Sequence, residues 1–308
     1  METGNNQIAK SALLIGMAMA TVGFVDNFIR VIAEDVGLWQ FHAFRSAVAL
    51  ALILTAVPVF GLKLRPRRPG AVLWRTFLNS VSMLCYFGAL ASMSIATAGA
   101  GLFTSPIWVL LISVVLFRAR IGLWRILAVV LGFAGVLLVL RPGGEGIDPT
   151  AMVAVAAGLF YAASSVATRR LCSDESPETL LWAFFAMIGL FGALGLAVVT
   201  LTGVGTQPEA GNFLTTGWQT PTLRFLGLCL FQAVGSLIPI FWLIKAYQIA
   251  DPSYVAVFEN SFLLFAGLWA YLLWGEVPDT VAILGIGAIV TSGSVIILRS
   301  RKEPPQSD

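Results

Sequence analysis

Long apolar runs alternate with short polar breaks along the whole chain. A helix needs about 20 such residues to cross about 30 Å of hydrocarbon at about 1.5 Å per residue. Ten runs of this kind are read: Ala9 to Ala33, Leu38 to Phe60, Ala71 to Met93, Ala98 to Phe117, Ile121 to Leu140, Thr150 to Val166, Thr179 to Leu201, Phe225 to Ile249, Tyr254 to Trp274 and Val281 to Leu298. Membrane β-strands would instead give alternating segments of about ten residues. The predicted fold class is therefore all-α and integral to a membrane, with ten transmembrane helices. Ala18-Met19-Ala20 after Lys10 imitates a signal-peptide cleavage site. The apolar run continues through Phe24, so the segment is expected to stay as the first span. Residues 202–224, rich in Gly, Thr and Pro, read as a linker with Phe213 and Trp218 at the membrane interface.

Composition strengthens this reading. The 308 residues are 58% hydrophobic and 11% charged, against about 25% charged in soluble chains, and the mean hydropathy is +0.87. Thirty glycines suit close helix contact in lipid. A formal charge of +3, scattered between apolar runs, points to no nucleic acid partner. Placement of the basic residues sets the expected topology. With the N-terminus inside, fifteen of nineteen Lys and Arg fall on the cytoplasmic side, including Lys63 to Arg75, Arg118 to Arg125, Arg169 and Arg170. Only Arg141 and Arg224 fall outside, while Arg30 and Arg45 lie within spans. The expectation is a multi-pass protein of the inner (plasma) membrane with both termini cytoplasmic. Cys85, Cys172 and Cys229 fit no C-x-x-C pattern and read as packed free thiols. One histidine, His42, and no Cys/His cluster leave neither a metal site nor a cofactor site to propose.

The chain repeats itself once. Ile95-Ala96-Thr97-Ala98 leads through Leu116-Phe117-Arg118 to a run ending Gly135-Val136-Leu137-Leu138-Val139-Leu140-Arg141. Ile249-Ala250-Asp251-Pro252 leads through Leu273-Trp274-Gly275-Glu276 to a run ending Gly293-Ser294-Val295-Ile296-Ile297-Leu298-Arg299, at an offset of 154 to 158 residues. Five spans is an odd number, so the halves 1–145 and 146–308 are expected to be inverted with respect to each other. Arg45, Phe103-Thr104-Ser105-Pro106, Gly132 to Pro142, Ala246-Tyr247 and Gly275-Glu276, in this order, resemble the drug/metabolite transporter superfamily, specifically its EamA-type members. Phe117-Arg118-Ala119-Arg120 departs from the Gly-Glu pair common there, which leaves the acid of that loop only at Glu276. The resemblance implies two five-helix repeats, alternating access and a central cavity for a small metabolite. Family membership alone leaves the substrate open.

Ionisable groups inside a bilayer cost about 2.5 to 3.5 kcal/mol on insertion scales and each needs a reason. Asp26 and Arg30 stand four apart on one helical face, either as a structural ion pair or with Asp26 as a proton or cation site. Arg45, with His42 one turn away, either binds backbone carbonyls and snorkels or anchors a carboxylate or phosphate. Glu259, followed by Asn260, sits in an apolar run, either paired with Lys245 or serving substrate binding or proton coupling. Tyr86, Trp108, Tyr161, Gln232 and Trp242 fall near mid-span and read either as packing or as a cavity lining for a flat or cationic ligand. Pro106 and Pro239 are expected to break or kink their helices. Together these residues point to a secondary transporter of an amino acid-like, zwitterionic or aromatic, vitamin-like solute, with a coupling proton and the lipid bilayer as its other partners. A channel or a non-transporting receptor or scaffold remains as the alternative. A membrane enzyme lacks a nucleophile motif or metal cluster to support it.

Overall fold

The computed structural model describes residues 2–89, 99, 101–118, 122–140, 151–203 and 213–300. Among these the secondary structure is helical throughout: α1 (Glu2–Asp26), α2 (Ile29–Ile32), α3 (Leu38–Phe60), α4 (Pro69–Ala89), α5 (Ser105–Phe117), α6 (Leu123–Leu140), α7 (Ala151–Leu171), α8 (Pro177–Thr202), α9 (Leu223–Ile249), α10 (Pro252–Glu259), α11 (Ser261–Trp274) and α12 (Thr280–Ser300). Local chemistry sets many of the boundaries. Gly61, Gly203 and Gly275 adopt φ of 62°, 67° and 70° and end α3, α8 and α11, a conformation that costs glycine no Cβ clash. Ser176, Thr222 and Asp251 accept the free amides that open α8, α9 and α10. Among the described residues six stretches are long and apolar enough to cross a membrane, α10 and α11 together forming one of them. α5 and parts of α6 and α12 are shorter apolar helices.

The α3 bounds match the sequence reading, and α8 and α9 differ from it by two residues or fewer at each end. Three runs read as continuous are interrupted. The first breaks at Asn27–Phe28, where the Asn27 side-chain amide donates to the carbonyls of Gly23 (2.7 Å) and Ala266 (3.3 Å) and so ties the break to α11. The fourth turns at Phe103–Thr104, with Thr104 Oγ1 donating to the Gly101 carbonyl at 2.6 Å. The ninth breaks at Asn260. Asn260 lies 156 residues after Thr104, inside the repeat offset, so the fourth and ninth runs are interrupted at equivalent places. Pro106 occupies the first turn of α5, directly after the break at Phe103–Thr104, in keeping with the expected helix break. Pro239 is accommodated within α9.

The most extensive helix contacts pair α6 with α12, α4 with α7, α3 with α8, and α1 with α9, followed by α1 with α11 and α5 with α7. Exchanging each helix for its counterpart in the other half maps this set of pairings onto itself. Where α6 and α12 cross, a Cβ on Gly135 would lie 2.7 Å from the Gly285 carbonyl oxygen, and the reverse holds as well. Only a glycine pair lets these backbones meet.

Polar contacts join the two halves at both ends of the bundle. At one end Glu175 accepts the amides of Arg67 (3.0 Å) and Arg68 (2.6 Å), and the Gln248 side chain donates to the carbonyls of Cys172 and Glu175, both at 2.8 Å. Arg169 donates to the Gln248 carbonyl. At the same end Arg125 meets Asp251 at 3.3 Å and lies 4.1 Å from the centre of the Tyr254 ring. At the other end Arg224 meets Glu34 (2.9 Å) and Asp35 (3.3 Å), and Gln40 exchanges two hydrogen bonds with the backbone of Gln219. Phe213 joins the small core of Ile32, Val36, Phe41 and Phe225 beside them. All three cysteines are free thiols. Burial pushes the Cys172 thiol up to about 11, with Arg75 and Arg68 pulling against it and Glu175 adding to it.

Candidate functional site

Two polar clusters occupy the interior, each beside a helix break. The first gathers the end of α1, the first third of α3, and facing residues of α4 and α9. Because α1 stops at Asp26, its carboxylate is presented at a helix terminus, and it lies within electrostatic reach of Arg45 and Tyr86. The Arg45 guanidinium sits over the rings of Phe41 (5.1 Å) and Phe185 (5.8 Å), which fix its plane, and its Nε is buried without a hydrogen-bond partner. Arg45 and Asp26 attract each other, yet no ion pair within 4.0 Å joins them. The pairing of Asp26 with Arg30 read from their spacing lies outside the described residues, because the Arg30 side chain is not among them. His42 is 2% exposed, has both ring nitrogens unpartnered, and packs against Phe41 and Phe87. Gln232 donates to the Val25 carbonyl at 2.8 Å while its Oε1 stays unpartnered. Gln232 thus holds the residue next to Asp26.

The second cluster is centred on Glu259, the last residue of α10. Its two carboxylate oxygens accept the hydroxyls of Tyr161 on α7 and Tyr247 on α9, both at 2.6 Å, and the residue is 5% exposed. These short bonds are charge-assisted in type. Of the two readings of Glu259, the pairing with Lys245 is not seen: two tyrosines, one from each neighbouring helix, bond the carboxylate. Asn260 is 1% exposed with both amide atoms unpartnered, and Ser261 Oγ is likewise unpartnered, at the point where the backbone leaves one half-helix and enters the next. A Cβ on Gly132 would lie 3.1 Å from the Asn260 amide nitrogen, so α6 gives that side chain its room.

The remaining sequence candidates divide. Tyr161 joins the Glu259 cluster and Tyr86 stands near Asp26. Trp108 closes a local bond to Thr104 Oγ1 at 3.1 Å and packs with Val109, Ala162, Val166 and Ala256. Trp242 packs against the core that contains Ile15, Met19 and Tyr247.

Two residues were missed. Tyr247 appeared in the sequence only as part of a motif, and nothing local indicates that its hydroxyl meets Glu259, twelve residues on. Arg75 was counted among the cytoplasmic cations but is 6% exposed, with Nε donating to Thr168 Oγ1 at 2.9 Å and its carbonyl accepting from Ser164 at 3.1 Å. Its position inside the run Ala71 to Met93 was the available signal.

By helical rise Arg45 lies about 10 Å along α3 from Leu38, and Glu259 about 10 Å along its half-helix from Pro252. A separate apolar groove of ≈ 490 Å3 between α1 and α9, lined in part by Phe24, Leu230, Phe231 and Val234, carries no ionisable side chain. The two clusters thus place an arginine with a carboxylate on helices of the first half and a second carboxylate, Glu259, on α10 of the second.

Comparison with known proteins bears on this arrangement. The model of the EamA-like transporter family matches residues 9–141 and 149–298. A pseudopaline exporter of Pseudomonas aeruginosa is 27% identical over 300 residues, covering 96% of this chain and 98% of that protein. A riboflavin transporter of Vibrio cholerae is 29% identical over 292 residues, covering 92% and 90%. An S-adenosylmethionine uptake transporter of Rickettsia bellii is 26% identical over 261 residues, covering 84% and 83%. A solved crystal structure is similar in fold, with a TM-score of 0.74 at 19% identity, covering 95% of this chain and 99% of that one.

Proposed function

The chain belongs to the EamA-like transporter family, and from that premise we propose that it is a secondary active transporter that moves a small organic metabolite by alternating access. Residues 1–145 and 146–308 act as two inverted five-helix repeats, and the solute site lies between them near mid-depth. The observation that carries this reading is the pair of interior clusters, Asp26 with Arg45 and Glu259 with its two tyrosines, borne on helices of different halves beside broken backbone. Irregular backbone at membrane depth is tolerated where it is buried in protein or lines a cavity.

The end that holds Arg67, Arg125 and Arg169 faces the cytoplasm, and the protein resides in the inner membrane with both termini inside. Relatives are named for pseudopaline, riboflavin and S-adenosylmethionine, which supports a metabolite rather than an inorganic ion as cargo. Glu259 takes the coupling proton. Its carboxylate has no cationic side chain within ion-pair distance among the described residues, so a proton is the simplest neutralising charge.

Two variants test the reading. Glu259→Gln keeps shape and removes charge, and Arg45→Lys keeps charge and removes the planar fork. Both are expected to insert and fold like the parent while losing at least about tenfold in solute exchange, the effect of about 1.4 kcal/mol. Wild-type exchange across pH, or failure of both to fold, would return these residues to a structural role.

A further inference from the structure

A polar, buried face of α7 leads from Glu259 to the end of the bundle that holds Arg67 and Arg169. It carries Tyr161, Ser164, Ser165, Thr168 and Cys172 at helical spacing and continues past the helix end to Glu175. All but Tyr161 are at most 4% exposed. From Tyr161 to the end of α7 at Leu171 the face runs about 15 Å. Aligning the halves on the starts of α3 and α8 sets Val22, Val25, Ile29, Ala33 and Val36 opposite Tyr161, Ser164, Thr168, Cys172 and Glu175, with Asp26 opposite Ser165. The face is therefore apolar but for one residue in the first half, and the architecture of the repeat does not require it to be polar in the second. Hydroxyls donate and accept at once, so a file of them between the Glu175 carboxylate and the tyrosine bonded to Glu259 is a track for protons.

Arg75 lies across that track. It stands on α4 about 9 Å from Pro69, its Nε donates to Thr168 Oγ1 at 2.9 Å, and its carbonyl accepts from Ser164 Oγ at 3.1 Å. Its Nη1 is buried without a partner. Among the described residues no carboxylate pairs with it, and the titratable groups that act on it are Cys172 and Tyr161 of α7. Glu259 faces the hydroxyls of Tyr161 and Tyr247, while Arg125 of α6 is turned to Asp251 and Arg169 to the Gln248 carbonyl. A guanidinium does not lose its proton in a protein, so a full positive charge stands in the middle of the face.

We infer that Arg75 is a proton barrier, whose fixed charge and hold on Ser164 and Thr168 keep protons from passing between Glu259 and the cytoplasmic end along α7. The assignment rests on the transport reading above, in which Glu259 takes the coupling proton, and adds what keeps that coupling tight. A proton that reached Glu259 from the outer side and left along α7 would cross the membrane without any solute. A fixed cation in a narrow polar route excludes protons from it, and its repulsion is strong where the dielectric is low. Glu259 is then left to exchange its proton through the solute pathway alone.

The test measures proton flux into proteoliposomes of the full-length protein, with a trapped pH dye, an imposed pH gradient, a clamped membrane potential and no solute. Wild-type vesicles should pass protons no faster than protein-free ones. Arg75→Gln should raise the flux at least about tenfold, and Arg75→Lys, which keeps the charge, should stay close to the wild type. The leak should close again when Glu259→Gln is added, and when Ser165→Ala and Thr168→Val are added together. A residue that merely holds α4 against α7 would give no leak, or one indifferent to Glu259. The inference is overturned if folded Arg75→Gln is as tight as the wild type, if its leak survives Glu259→Gln, or if Arg75→Lys leaks as much. Should Arg75→Gln fail to fold, Thr168→Asp decides, because it sets a carboxylate against the guanidinium and cancels its field; a tight Thr168→Asp overturns the barrier. If Glu259→Gln leaves the pH dependence of solute exchange unchanged, the proton reading of Glu259 falls and takes the barrier with it. A tight Arg75→Gln in a protein whose exchange follows pH through Glu259 contradicts the barrier alone.

Discussion

Replacing Arg125 by Gln should loosen one end of the bundle selectively. Arg125, with 5% of its side chain exposed, reaches from α6 to Asp251 and Tyr254 and so joins the first half to the start of α10. The repeat gives this contact no counterpart at the other end. Residues 279–283, which correspond to Arg125, read Asp-Thr-Val-Ala-Ile, and residues 93–97, which correspond to Asp251, read Met-Ser-Ile-Ala-Thr. Removing one partner of a fully buried ion pair costs about 3 to 5 kcal/mol. The Asp251 side chain is 37% exposed, so solvent screening reduces the loss to about 2 to 3 kcal/mol, with the stacking on Tyr254 contributing about 1 of this. If the contact exists only while this end is closed, the open population rises by about 30- to 160-fold. The assay is the rate at which a membrane-impermeant thiol reagent modifies Ser165→Cys, a buried position on α7, in a background without the native cysteines. Asp251→Asn, which leaves the ring contact in place, should give a smaller rise. An unchanged rate in folded Arg125→Gln would refute the reasoning, as would equal acceleration for cysteines reached from the Arg224 end.

Gly135→Val should lower the melting temperature through an overpacking cost of about 1 to 3 kcal/mol, since even a Cβ would stand 2.7 Å from the Gly285 carbonyl. A melting temperature at the wild-type value would contradict the packing of α6 on α12. Native Cys172, whose buried thiol titrates near 11, should be about one part in ten thousand thiolate at pH 7 and resist maleimide until the protein unfolds; ready labelling of the folded protein would count against its burial. Tyr247→Phe removes a hydrogen bond to a charged acceptor worth about 1.5 to 3 kcal/mol, and solute exchange should fall while insertion persists.

The helices were legible because the bilayer demands about 20 apolar residues in a row, and α3, α8 and α9 obey that rule from end to end. The breaks at Asn27 and Asn260 were not, because hydropathy averages over a single polar residue and cannot register which carbonyl it captures. Asp26, Arg45 and Glu259 were visible as charges in apolar runs, but their partners were not. Tyr161 lies 98 residues before Glu259, and Asn27 bonds Ala266 across 239 residues, separations that only the fold closes. Arg75 was lost to counting, since a basic residue near a run's end reads as a loop cation until packing places Thr168 beside it.

Solute counterflow in proteoliposomes tests the account most directly. Wild-type protein loaded on the inside with a solute that stabilises it should take up labelled solute faster than unloaded vesicles, saturably, and this acceleration should disappear in both Arg45→Lys and Glu259→Gln. Uptake that ignores the solute on the far side and rises without saturation would identify a channel and contradict alternating access.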